Sequence, residues 1–204
     1  MTLQISALFE GFLLGAGLFS AMGPKDSFVI RQALVGRHVP AILFICVFSD
    51  MLLICFGVAG VGSIVSNSKS LITAATWGGS IYLTWYGIHT LLNVIKNKSM
   101  PSADNSPRKE KSSLIASAVI LSLFNPYSLI DTVVIIGSIS GAKGPDIRWY
   151  FAFGTMAASL IWFTLLAIIT RTFRPLFSRP LMWTILDIVI SLIMFYLSFK
   201  LLVD

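Results

Sequence analysis

Nine acidic residues occur in this chain, and four of them, Asp26, Asp50, Asp131 and Asp187, fall inside long apolar runs. A charge at the centre of a bilayer costs on the order of 3 kcal/mol on insertion scales, so each needs a partner or a water-filled path. Two of the four follow a helix-breaking step. Gly23-Pro24 is followed at once by Lys25-Asp26, and Asn125-Pro126 is followed five residues later by Asp131. A proline removes one backbone N–H and strands the carbonyl four residues back. In hydrocarbon those groups must be satisfied by protein, water or a ligand. Asp50, in CVFSDMLLIC, has no basic residue within a helical turn. It is the leading candidate to meet a cationic substrate or a proton. Lys25 is the one deep cation, placed to neutralise Asp26 or to pair across the site. The remaining acid at depth, Asp50 and Asp131, favours a cation over an anion as cargo. The plainer alternative is that the prolines are simple kinks and the acids hydrogen-bonded bridges between helices. Asp187, nearer the end of its run, is as well suited to snorkelling toward the interface, and Glu10 reads as interfacial.

The elements that must position these residues are set by composition. The chain has 204 residues, 56% hydrophobic and 12% charged, with a mean hydropathy of +0.85. Soluble domains carry about a quarter charged residues, so the composition is that of an all-α polytopic membrane protein. Fifteen Lys and Arg against nine Asp and Glu give a net charge of +6. In this context the excess reads as basic loops facing an anionic leaflet, not as a nucleic-acid surface. The first two dozen residues hold no Lys or Arg, which argues for a retained first span over a cleaved signal peptide.

About 20 apolar residues make a span, and six candidates fall at roughly 5–30, 39–65, 70–95, 114–138, 149–170 and 181–203. The links are short except for KNKSMPSADNSPRKEKSS at 96–113, which is polar, charged and read as a flexible loop. One transmembrane domain, 1–204, is therefore expected, with halves of about 1–95 and 114–204. The odd-numbered links hold ten basic residues (Arg31, Arg37, Lys96, Lys98, Arg108, Lys109, Lys111, Arg171, Arg174 and Arg179), against four on the other side. The basic segments 31–38, 96–113 and 171–180 are thus expected in the cytoplasm and both termini outside. Trp77, Trp149-Tyr150 and Trp183, near span ends, suit interfacial anchoring and equally well plain packing.

The halves echo each other. LGAGLFSAMGPKDSFVIRQAL and SAVILSLFNPYSLIDTVVIIG each run apolar, break at a Pro step and then carry an Asp. Three spans per half require an inverted relationship. Matching interrupted helices in two inverted halves are the pattern of secondary transporters with a midplane site. Cys46 and Cys55, nine apart in one helix, point to opposite faces and cannot pair or share a ligand. His38 lies in a loop and His89 late in the third span. Metal sites need several convergent ligands, and no second Cys or His joins Cys46 and Asp50 in sequence. No cofactor is implied.

The stretches GPKDSFVIRQAL, FSDMLLICFGVAG, WGGSIYLTWYGI, FNPYSLIDTVVIIGS and RWYFAFGTMAASLIWF occur in order over nearly the whole chain. Together they resemble the lysine/arginine exporter family of LysE/ArgO type. The resemblance implies a multi-pass exporter of basic amino acids in the bacterial inner membrane, driven by the proton gradient, with an amino acid, protons and lipid as its partners. Carried across by position, the family's Gly-Pro falls on Gly23 and Pro24, its Ser-Asp on Ser49 and Asp50, and its Asn-Pro and following acid on Asn125, Pro126 and Asp131. Where the family looks like Gln-Asn, this chain has Lys25-Asp26. An ammonium there repels a basic side chain unless an acid holds it, and it can also bind a substrate carboxylate. Export of a neutral amino acid or of a metal cation therefore stays open. So does, further off, an intramembrane aspartyl hydrolase built on Asp50 and Asp131.

Overall fold

The computed structural model describes residues 2–36, 38–62, 64, 67–96 and 111–203. Arg37, Lys98, Arg108 and Lys109, and with them most of the 96–113 link, lie outside the described residues. Among the described residues the regular structure is entirely helical. In order come α1 (Thr2–Ser20), α2 (Pro24–Val35) and α3 (Val39–Phe56), which runs on as a π-helical turn, Gly57–Val61. Next are α4 (Lys69–Ile95), α5 (Lys111–Leu123) and α6 (Pro126–Leu129), the last continuing as a second π turn, Ile130–Ile135, into α7 (Ile136–Gly141). Then follow α8 (Arg148–Thr172), a 3-10 turn (Arg174–Ser178) and α9 (Pro180–Val203).

Four of these segments are long and apolar enough to cross a membrane: Thr2–Ser20, Val39–Val61, Arg148–Thr172 and Pro180–Val203. Ser112–Leu123 and Ile130–Gly141 are apolar but shorter. The expected third span, α4, is 27 residues long and is not among those four. Two boundaries differ from the sequence reading. Arg31 lies inside α2 and not in a loop, because the helix runs on to Val35. Arg171 likewise belongs to α8, which ends at Thr172.

Both expected breaks are present. Ala21, Met22 and Gly23 leave the helix, Gly23 is extended (φ −106°, ψ −173°), and Pro24 opens α2. A proline at the first helical position loses only an N–H that had no intrahelical partner. Asp26 then reaches back to accept the Gly23 N–H at 2.8 Å, so the break is capped internally. Gly36 ends α2 with φ 78°, a left-handed cap that glycine adopts without steric penalty. In the second half Phe124 and Asn125 leave the helix and Pro126 opens α6.

Each Pro-broken segment lies along the second long helix of the other half: α8, which is continuous, or Val39–Val61, which itself kinks at Gly60 (φ 123°). α1 and α2, one after the other, follow α8 in the same direction. Gly11 faces Phe151, Gly15 faces Thr155 and Ala158, Asp26 meets Trp162, and Ala33 clusters with Ala167. The α5-to-α7 stretch follows α3 in the same sense, with Ser122 on Cys46, Gly57 on Val133 and Gly62 on Gly137. α4 and α9 run antiparallel, bonded through Ser80, Thr84 and Ser198, with Gly87 against Met194.

Lipid is as apolar as leucine, so close backbone approach at small residues replaces hydrophobic burial as the packing force between spans. A Cβ at Gly11 would lie 2.0 Å from the Phe151 carbonyl oxygen, and one at Gly154 would lie 1.9 Å from that of Leu8. Gly11-Phe12-Leu13-Leu14-Gly15 is the small-xxx-small signature that permits this, and the outward faces carry exposed apolar side chains such as Phe44, Phe48 and Phe56. Trp183 takes the packing role: it is buried edge-on against Phe177 and donates its indole N–H to the Phe177 carbonyl at 2.8 Å. One apolar cluster gathers Val29, Ile30, Leu34, Ile42, Phe163 and Leu166. A second gathers Ala7, Ile54, Val58, Ile136 and Phe151. Along the chain directions just given, they lie on opposite sides of the two breaks.

Candidate functional site

The layer between those clusters is polar. Asp50 sits at the middle of Val39–Val61, and Ser159 and Trp162 flank the middle of α8. The α1–α2 break brings Lys25 and Asp26 to the same depth. Lys25 Nζ lies 2.5 Å from Asp50 Oδ1, and Ser159 donates its hydroxyl to Asp50 Oδ2 at 2.7 Å. The ammonium also lies over the Phe163 ring, 4.6 Å from its centroid. Asp26 takes the indole N–H of Trp162 at 2.9 Å in addition to the Gly23 N–H. Lys25 is 5% exposed and Asp50 0%. Attraction offsets the desolvation of such a buried pair only where further hydrogen bonds satisfy the remaining lone pairs, which is what Ser159 does.

Lys25 and Asp26 therefore do not pair with each other, one of the two arrangements open from sequence. Lys25 crosses to α3 and occupies Asp50, the residue that in sequence had no basic neighbour. Three carboxylates and one ammonium (Asp26, Asp50, Asp131 and Lys25) line one small cavity with Gly23, Asn125, Ser128 and Thr132. Six of the eight residues singled out in the sequence thus meet at one place. Pro24 and Pro126 do not line it; each opens the helix, α2 or α6, behind the break. The cavity measures about 30 Å³, room for a water or two. Ligand pockets span roughly 300–1,000 Å³. The site is closed to any amino acid in this conformation, with an apolar cluster beyond it on either side.

Ser159, Trp162 and Phe163 escaped the sequence reading as site residues. Their spacing at i, i+3 and i+4 puts them on one helical face, and that face meets the first break. Asp187 does not snorkel: it is fully buried and ion-paired with Arg31 of α2. Glu10 is exposed and pairs with Lys143. Cys46 is buried and Cys55 half-buried, both as free thiols. Among the described residues no group of three His, Cys, Asp or Glu converges as a metal site.

A family model for LysE-type translocators matches residues 16–204. The chain belongs to the LysE-type translocator family. Its relatives include the arginine exporter protein ArgO of Yersinia enterocolitica, 30% identical over 198 residues, which are 97% of each chain. The arginine exporter protein ArgO of Photorhabdus laumondii is 33% identical over 199 residues, 97% of this chain and 96% of its own. No solved structure matches. A LysE-type translocator is a transporter and not an enzyme, which removes the hydrolase reading. In this translocator Asp50 is held by Lys25 and Ser159, and not by a second carboxylate as a proton-sharing acid pair would need.

Proposed function

We propose that the protein exports amino acids, basic ones foremost, across the bacterial inner membrane, by alternating access around the Lys25–Asp50–Asp131 layer. The observation that carries this reading is the convergence of two Pro-opened helix breaks and four charged side chains on one cavity with an apolar cluster on either side. The names of the ArgO relatives support arginine as cargo and export as the direction. Three carboxylates against one ammonium leave room for a cationic side chain despite Lys25. Lys25 in turn offers a partner to the α-carboxylate that every amino acid carries. In the transport cycle the substrate's cation competes with Lys25 for Asp50, and Asp131 holds charge at the second break. Proton coupling through the same carboxylates follows from this competition, because protonating a carboxylate releases its cation.

The architecture is read as two inverted three-helix halves, α1–α4 and α5–α9, forming six spans. The pairing pattern supports it: each Pro-broken segment follows the second span of the other half, and the two third spans pair antiparallel. Arg31, Arg171 and Arg174 gather toward the end where α2 and α8 finish, which supports that end as cytoplasmic and both termini as outside.

Feeding cells with dipeptides and following the released amino acids tests the reading. Faster efflux of arginine or lysine with the protein than without it is expected. A neutral amino acid moving instead would favour the second reading, which the prior occupation of Asp50 by Lys25 supports. Equal efflux of every amino acid with and without the protein would remove both. Asp131→Asn is expected to cut efflux by roughly tenfold or more, the penalty for removing a charge from a low-dielectric site. Comparing efflux rates at matched membrane abundance checks it.

A further inference from the structure

A second and larger cavity, about 660 Å³, opens between α2, α5 and α4, and no residue lining it lines the central one. Its volume lies in the range of small-molecule sites. The α4 wall is an aromatic ladder at helical spacing. Tyr82 lies against Trp85 (ring centroids 6.3 Å) and Tyr86 (6.4 Å), and Trp85 against His89 (5.8 Å). Across from it stand Phe28 and Arg31 of α2. Arg31 is ion-paired with Asp187 of α9, but asymmetrically: the Asp187 side chain is fully buried while that of Arg31 is 24% exposed. A guanidinium offers five donors in a fixed fork, more than one carboxylate oxygen takes up. Phe28 lies one turn beyond Lys25 on α2, so the large cavity adjoins the central layer on the side where the basic residues collect.

We propose that this cavity is a first binding site for the basic amino-acid cargo. The cationic side chain lies on the Tyr82–Trp85–Tyr86 face, and the α-carboxylate sits on Arg31 in competition with Asp187. The inference rests on the exporter reading above and adds to it a site, a ligand orientation and a consequence. Aromatic faces attract ammonium and guanidinium groups, and arginine forks bind carboxylates in two-point fashion. The Arg31–Asp187 pair ties α2 to α9, so a substrate carboxylate that displaces Asp187 also loosens the helix that carries Lys25 and Asp26. A lipid phosphate offers Arg31 the same anionic chemistry but brings no amino-acid side chain to the ladder.

The test is equilibrium binding of labelled arginine and of argininamide, which lacks the carboxylate, to the full-length protein in phosphatidylcholine nanodiscs, paired with efflux from cells. Trp85→Leu is expected to weaken arginine binding by roughly fivefold to tenfold. Asp187→Asn removes the competing charge and is expected to tighten arginine binding while leaving argininamide unchanged. Should Asp187→Asn fail to accumulate, Trp85→Leu, a change at a side chain 59% exposed, carries the test alone. Arginine affinity unaltered in both variants would overturn the proposal. So would an equal gain for argininamide, or displacement governed by added phosphatidylglycerol in wild type and variants alike, which would assign the cavity to a lipid headgroup. Efflux by the wild type with unchanged binding in the variants sinks this site alone. Absence of any wild-type amino-acid efflux sinks the exporter reading itself.

Discussion

Asp50→Asn is expected to abolish export and to lower the thermal stability of the protein in detergent, whereas Lys25→Gln/Asp50→Asn together are expected to recover the stability and not the export. The two effects separate because the pair has two roles. As structure, Asp50 compensates a lysine that is 5% exposed at the depth of the helix breaks. Removing one member of a buried pair typically costs about 3–5 kcal/mol, since the other is left charged in a poor solvent. Removing both together exchanges an ion pair for neutral hydrogen-bonding groups and is often nearly neutral. Ser159, which donates to Asp50 at 2.7 Å, can donate equally to an asparagine carbonyl oxygen, so the double variant keeps its local hydrogen bonding. In the proposed transport cycle, Asp50 is the acid for which a cationic substrate competes, and neither variant retains it. Thermal melting followed by tryptophan fluorescence, set beside efflux at matched abundance, distinguishes the two. A fully active double variant would show that the pair is scaffolding.

Gly154→Leu has the larger structural effect and is expected to prevent accumulation of folded protein. A Cβ at this position would already lie 1.9 Å from the Leu8 carbonyl oxygen and 2.8 Å from the Phe12 nitrogen, both backbone atoms that no rotamer change can move aside. α1 must then separate from α8. With it goes the Thr155 hydroxyl contact to the Gly11 carbonyl, 3.1 Å, and the alignment that holds the first break opposite Ser159 and Trp162. Overpacking in well-packed interiors costs about 1–3 kcal/mol when side chains give way, and a backbone collision exceeds that. Gly17→Leu, at a position with nothing within 4 Å of the added Cβ, is the matched control and is expected to accumulate normally. Size-exclusion profiles of the two variants after extraction give the comparison.

Much of this was legible in the residues. Pro24 and Pro126 announced their breaks because a missing N–H cannot be hidden in hydrocarbon, and the rarity of charge in apolar runs singled out Asp26, Asp50, Asp131 and Asp187. The pairing between them was not legible. Lys25 is 25 residues from Asp50, and Arg31 is 156 from Asp187. Nothing local says which buried acid a buried base will meet; that depends on which helix lies beside which. The same limit hid Ser159, Trp162 and Phe163, which look like ordinary span residues until α8 is laid along the first break. Gly11-xxx-Gly15 was a readable signal for that pairing. A basic residue near a helix end does not mark where the helix stops, as at Arg31, four residues before α2 ends, since an arginine with a buried partner does not require a loop.

In the proposed function the Lys25–Asp50–Asp131 layer is the path that cargo takes. The most direct test is counterflow of labelled arginine into proteoliposomes preloaded with unlabelled arginine, with wild type, Asp50→Asn and the Lys25→Gln/Asp50→Asn pair reconstituted at equal density. Rapid uptake by the wild type and none by either variant is the expected result. Uptake by the folded double variant at the wild-type rate would contradict the account.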